Sequence, residues 1–128
     1  MFRRLGRRDF SWPTLRVARD LLGKFIVRRY RGRLVQAMIA ETEAYQGPRD
    51  LASHAAGGRR TARVEPLYGD GGTVSKEMWL EDRGVRVAAK YVSTGPRVGV
   101  AYAGPYWAAR PWRFRITKLL MQAGIREK

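Results

Sequence analysis

The spacing of apolar residues changes along the chain, and each change predicts an element. Leu15, Ala18 and Leu22 recur at i, i+3 and i+7 with Val17 and Leu21 beside them, which is one stripe of a helix. Ser11 is placed to cap that helix, Pro13 falls in the first turn where a missing N–H costs nothing, and Gly23 supplies its end. Lys24–Tyr30 then reads as a strand through Phe25, Ile26 and Val27, and Tyr30-Arg31-Gly32-Arg33 as a hairpin turn in which Gly32 takes positive φ. A long second strand is predicted over Leu34–Tyr45. Its alternation puts Val35, Ala37, Ile39, Glu41, Glu43 and Tyr45 on one face and Leu34, Gln36, Met38, Ala40, Thr42 and Ala44 on the other, and Gly47-Pro48 ends it.

The second half is more broken. Asp50–Ala56 predicts a helical turn, residues 57–63 a flexible basic loop, and Pro66–Lys76 a glycine-rich stretch without period. Met78–Glu81 predicts a short strand turned by Asp82-Arg83-Gly84; Val85, Val87 and Ala89 alternate after it. Pro111–Ile116 predicts a strand, and Thr117 a cap for a last helix over Lys118–Ala123 ended by Gly124. Met1–Arg8 reads as a short basic arm, and residues 9–128 as one α+β domain with no internal repeat or linker.

Composition sharpens this. The chain has 128 residues, a formal net charge of +15, and 21 arginines among its 26 basic residues. Arginine binds phosphate in a fork and keeps its charge everywhere, so the balance points to a nucleic-acid partner, with a merely solvated basic surface as the alternative. The absence of cysteine excludes a disulfide framework, a thiolate metal site and a cysteine nucleophile; a single histidine excludes a multi-histidine metal site. No metal and no cofactor is expected. No apolar run approaches the roughly 20 residues of a membrane helix, and the N-terminus carries charge without an apolar core, so the expected setting is cytoplasmic, with no membrane partner.

Against this cationic background one stretch stands out. Glu41, Glu43 and Asp50 are three of eleven carboxylates, and the lone histidine, His54, follows them with Tyr45 between. A carboxylate beside an aromatic can deprotonate a water next to a stacked planar ring, and in a basic protein that ring would be a nucleobase. The same residues also fit plainer roles, glutamates as arginine partners and the histidine as a hydrogen-bonded side chain. Composition alone equally suits a small DNA- or RNA-binding protein without catalysis.

Glu41-Thr42-Glu43-Ala44-Tyr45, Gly47-Pro48, Asp50 and Ala52-Ser53-His54 together resemble the active-site segment of the alkyladenine (3-methyladenine) DNA glycosylase family. The flanks agree: Ala18–Lys24 with Val27-Arg28-Arg29, then Gly58-Arg59-Arg60-Thr61 with Arg63, Trp79–Gly84, Gly95–Val100 and Pro111–Phe114. The resemblance implies a mostly antiparallel curved β-sheet with a few flanking helices. It implies excision of alkylated or deaminated purines from double-stranded DNA, a nucleoid-associated setting, Glu43 as the water-activating carboxylate, and Tyr45 and His54 against the flipped base. It assigns Arg59, Arg60 and Arg63 to the DNA backbone, and gives Glu41 no catalytic role.

The interval Val64–Met78 is much shorter than the family's middle section, which carries a tyrosine-rich strand pair and the side chain that wedges into DNA. No wedge is assigned here. A sheet without those strands is expected to expose apolar surface and unpaired edges, through which copies could associate.

Overall fold

The computed structural model describes residues 2–58 and 77–118, and their strands fall into two antiparallel sheets. The first runs in the order β1-β5-β2-β3, built from β1 (Arg3–Arg4), β2 (Phe25–Tyr30), β3 (Arg33–Met38) and β5 (Met78–Asp82). The second runs β4-β7-β6, from β4 (Glu41–Glu43), β6 (Val92–Gly95) and β7 (Arg113–Ile116). Two short helices, α1 (Thr14–Asp20) and α2 (Pro105–Ala108), complete a single α+β domain.

The hairpin forms where the sequence places it. Tyr30 pairs with Arg33, so Arg31 and Gly32 alone make the turn, at φ 49° and 74°. Two central residues at positive φ give the turn whose twist matches that of the flanking strands, and Gly32 adopts it without a Cβ penalty.

The predicted strand Leu34–Tyr45 is two strands in two sheets. Up to Met38 the chain pairs with β2; Ile39 then exchanges hydrogen bonds with Gly23 and Lys24, and the Ala40 carbonyl accepts from Ile116 at the end of β7. The switch lets the Ile39 side chain turn into the main core, where Ala18 and Leu22 meet Ala44 and Phe114. Phe114 is 1% exposed, and its truncation to Ala would cost about 3–5 kcal/mol. A smaller cluster of Ala52, Val100 and Ala103 packs beneath Trp107 and Ala108 of α2.

Other boundaries also move. Helix α1 starts at Thr14 with Pro13 as its flanking residue; Ser11 does not cap it, because the Ser11 hydroxyl donates instead to the Arg8 carbonyl at 2.7 Å and closes the short turn Arg7–Phe10. Residues from the basic N-terminus enter the first sheet as β1, against Asp82 and Glu81. The alternating Val85 and Val87 form no strand; they crowd Gly23, where a Cβ would stand 2.9 Å from the Val87 side chain. The strand forms further on as β6, which the sequence reading passed over. Thr117 continues the pairing with Tyr91 rather than capping a helix, and the rest of the predicted last helix lies outside the described residues.

Among the described residues β3 is an unpaired edge, with Leu34 and Val35 exposed along it. Among the same residues, no helix is long and apolar enough to cross a membrane.

Candidate active site

Strand β4 is short, but its pairing decides which glutamate does what. Glu41 lies opposite Arg115 and Glu43 opposite Arg113. The Arg113 guanidinium nevertheless reaches diagonally to Glu41, donating from Nε at 2.5 Å and from Nη2 at 3.2 Å. This fork holds the Glu41 carboxyl below the usual range. Glu41 is thus an arginine partner, as its plainer reading has it, and Glu43 is left for other contacts. Between them Thr42 points the opposite way, donating to the Ala18 carbonyl at 2.7 Å and tying β4 to α1.

Glu43 accepts two hydrogen bonds from the loop side. The Val98 N–H donates to Oε1 at 2.9 Å, and the Tyr45 hydroxyl donates to Oε2 at 2.6 Å. A carboxylate has about four acceptor sites, so two such bonds fix its plane and leave room to accept from a water. The two-residue spacing brings Glu43 and Tyr45 together, although regular strand pairing ends at Glu43. Burial, then the bond to Glu43, pushes the Tyr45 phenol up to about 12, so the hydroxyl stays a donor at neutral pH.

Behind Tyr45 lies a buried charge pair that sequence reasoning missed. Arg97 donates from Nη1 and Nη2 to the two oxygens of Asp50 at 2.5 and 3.0 Å, and neither side chain has exposed surface. The Arg97 guanidinium also donates to the carbonyls of Ala44 and Trp107 and lies over two rings, Tyr45 at 4.7 Å and Trp112 at 5.0 Å. Asp50 accepts further from the N–H groups of Gln46 and Ala52 at 3.0 Å each. Burial alone would raise its carboxyl; the bonds from Arg97 and these two amides outweigh it and hold the carboxyl below its usual range. The one signal in sequence was Asp50 itself, a carboxylate among glycine, proline and alanine.

Tyr45 and His54 both line a cleft of about 820 Å³, facing Val98 and Tyr102. That volume is within the range of small-molecule sites. His54 is exposed there, and Tyr102 is anchored by donating its hydroxyl to the Ala52 carbonyl at 2.7 Å. Of the residues singled out in sequence, the structure therefore places Tyr45 and His54 on one opening, and Glu43, outside that lining, is joined to it by its bonds to Tyr45 and Val98. Arg59, Arg60 and Arg63 lie outside the described residues. Among the described residues no group of three histidines or carboxylates stands close enough to hold a metal ion.

The sequence profile of the Methylpurine-DNA glycosylase (MPG) family matches residues 8–75, more than half of the chain. The chain belongs to the methylpurine-DNA glycosylase family. It is 55% identical over 71 residues to a protein of Clostridium perfringens (strain SM101 / Type A) named "Putative 3-methyladenine DNA glycosylase", a match covering 56% of this chain and 35% of that protein. A protein of Desulfitobacterium hafniense (strain Y51) with the same name is 51% identical over 70 residues, 55% of this chain and 34% of its own. One from Clostridium botulinum (strain Hall / ATCC 3502 / NCTC 13319 / Type A), again so named, is 56% identical over 66 residues, 51% of this chain and 32% of its own. The matches thus span about a third of the length of these curated relatives. The family profile contains Glu43, Tyr45, Asp50 and His54, while Arg97, Val98, Tyr102 and Arg113, which hold or face them, come from beyond it. A methylpurine-DNA glycosylase segment thus draws its supporting groups from the C-terminal part of this chain.

Proposed function

We propose that this chain is a monofunctional DNA glycosylase that hydrolyses the N-glycosidic bond of alkylated or deaminated purines flipped out of double-stranded DNA. The observation that carries the reading is the Glu43 carboxylate, held by the Val98 amide and the Tyr45 hydroxyl beside the cleft that Tyr45 and His54 line. The damaged nucleotide leaves the stack at a cost of a few kcal/mol, which is smaller for a damaged pair. Its base stacks on the Tyr45 ring and is contacted by His54.

Glu43 orients a water and takes its proton as the oxygen attacks C1′. The C1′–N bond breaks with its electron pair leaving on the base, and a free base and an abasic sugar result. The transition state carries oxocarbenium-like positive charge, which the same carboxylate stabilises. N-alkylated purines leave readily because they already bear positive charge. An amine nucleophile is not required, so no strand-cutting lyase step accompanies the reaction. The basic surface holds the DNA phosphates, and the protein acts where that DNA is, at the nucleoid.

The test uses a duplex with a single hypoxanthine or ethenoadenine, treated with alkali after incubation to cut abasic sites. Wild type gives scission, and Glu43→Gln loses it by at least about 10²-fold, the usual worth of a general base, while binding undamaged duplex as before. Equal background from both proteins would leave a nucleic-acid-binding protein without catalysis.

A further inference from the structure

The β2–β3 hairpin lies apart from the cleft and contributes no residue to its lining. Residues 25–38 contain four arginines, Arg28, Arg29, Arg31 and Arg33, and no Asp or Glu. Arg28 and Tyr30 are two apart on β2 and share a face, and Arg33 stands directly across from Tyr30. The Arg28 and Arg31 guanidinium carbons lie 5.0 and 5.2 Å from the Tyr30 ring centre. Tyr30 is 44% exposed, and Val35, opposite Arg28, is exposed as well.

Elsewhere several arginines hold carboxylates: Arg3 with Asp9, Arg83 with Glu81, Arg86 with Asp82, Arg113 with Glu41. Among the described residues Arg28, Arg31 and Arg33 make no salt bridge. Two guanidiniums against one phenol ring, with Arg33 directly across the strand pair, repel each other, and a polyanion laid across them relieves that repulsion. The exposed ring and guanidinium planes add surfaces on which an unpaired base stacks, which duplex DNA or a simple polyanion does not offer.

We propose that this face of the hairpin is a second nucleic-acid-binding surface, which takes a single-stranded segment with phosphates on Arg28, Arg31 and Arg33 and a base against Tyr30. It goes beyond the glycosylase reading and does not depend on excision.

The experiment measures anisotropy of a labelled, undamaged single-stranded oligonucleotide across a salt series with the full chain, and repeats it with the matching duplex and with inorganic polyphosphate. The Arg28→Gln/Arg31→Gln/Arg33→Gln variant is expected to weaken single-strand binding and to flatten its salt slope by about 2, from three lost phosphate contacts. Replacing the same three by Lys keeps most of the slope. Tyr30→Ala is expected to weaken single-strand binding roughly 5- to 150-fold, the range for one lost base stack, with duplex and polyphosphate binding little changed. Circular dichroism establishes that each variant keeps its sheet content. An unchanged slope in the triple Gln variant overturns the proposal. So does a Tyr30→Ala variant that binds the single strand as wild type does, or that loses single strand, duplex and polyphosphate equally. Because no lesion is used, failure here leaves the Glu43 excision test untouched, and failure of excision leaves this one standing.

Discussion

Asp50 and Arg97, 47 residues apart, are joined by two hydrogen bonds of 2.5 and 3.0 Å in a place where neither side chain touches solvent. The pair ties the loop after β4 to the loop after β6, and Arg97 lies over the Tyr45 ring at 4.7 Å. Desolvating two charges is costly, and the Arg97 Nε is buried without a hydrogen-bond partner. Such a pair contributes position more than net stability, and the position it fixes is that of the Tyr45 ring. Removing one member leaves the other charge buried alone. Asp50→Ala and Arg97→Ala are each expected to lower unfolding free energy by about 3–5 kcal/mol, read from urea denaturation. The double variant is expected to lose clearly less than the sum of the two, and strict additivity would show that the pair does not act as a unit.

The same pair gives an acid limb. The folded-state Asp50 carboxyl lies below its ordinary value because the Arg97 and backbone donors outweigh burial. An unfolded aspartate titrates near about 3.9. The contribution of a depressed carboxyl is complete above that value and is lost as pH falls below it toward the folded pKa. Wild type is therefore expected to lose stability on acidification below about pH 4, and Asp50→Asn, already weakened at neutral pH, to show a flatter decline over the same interval. Parallel stability curves for the two proteins would contradict this assignment.

Tyr45 gives the opposite limb. Burial and the bond to Glu43 push its phenol up to about 12, against roughly 10 for a free tyrosine. A raised pKa stabilises the fold below the unfolded value and stops doing so as pH rises through the folded one. Subtracting the ultraviolet phenolate titration of Tyr45→Phe from that of wild type is expected to leave one tyrosine ionising near 12, with stability falling between about 10 and that value. On excision, Tyr45→Phe keeps the stacking ring and loses only the hydroxyl bond to Glu43, so it is expected to retain more activity than Tyr45→Ala. Equal losses would mean that the ring does not stack on the base.

Much of this was legible in the sequence where local rules govern. The Arg31-Gly32 turn follows from the positive φ that a two-residue hairpin demands, and the juxtaposition of Glu43 with Tyr45 follows from two-residue alternation. What was not legible depended on partners distant in the chain. Alternation continues smoothly from Leu34 to Tyr45, so nothing local marks the change of sheet at Ile39, which is driven by the core formed with Phe114. Arg97 is one arginine among 21, and only the fold shows that, among the described residues, it is the buried one. Likewise the Val98 amide that holds Glu43 is a backbone group, and no side-chain pattern could announce it.

The two glutamates of β4 make the sharpest comparison. They are two residues apart and chemically identical, and on one strand face they would be interchangeable. Arg113 breaks the symmetry: it stands opposite Glu43 in the strand register but gives its fork to Glu41. Glu41 is thereby occupied on both oxygens, and its pair is exposed enough for solvent and salt to screen it. Glu43, held by a backbone amide and a phenol that both belong to residues lining the cleft, keeps acceptor capacity beyond those two bonds. Glu41→Gln is therefore expected to leave excision within about threefold of wild type with little change in stability, whereas Glu43→Gln loses at least about 10²-fold. Measured side by side on one lesion duplex, the reverse order would move the water-activating role to Glu41, and equal losses would remove it from both.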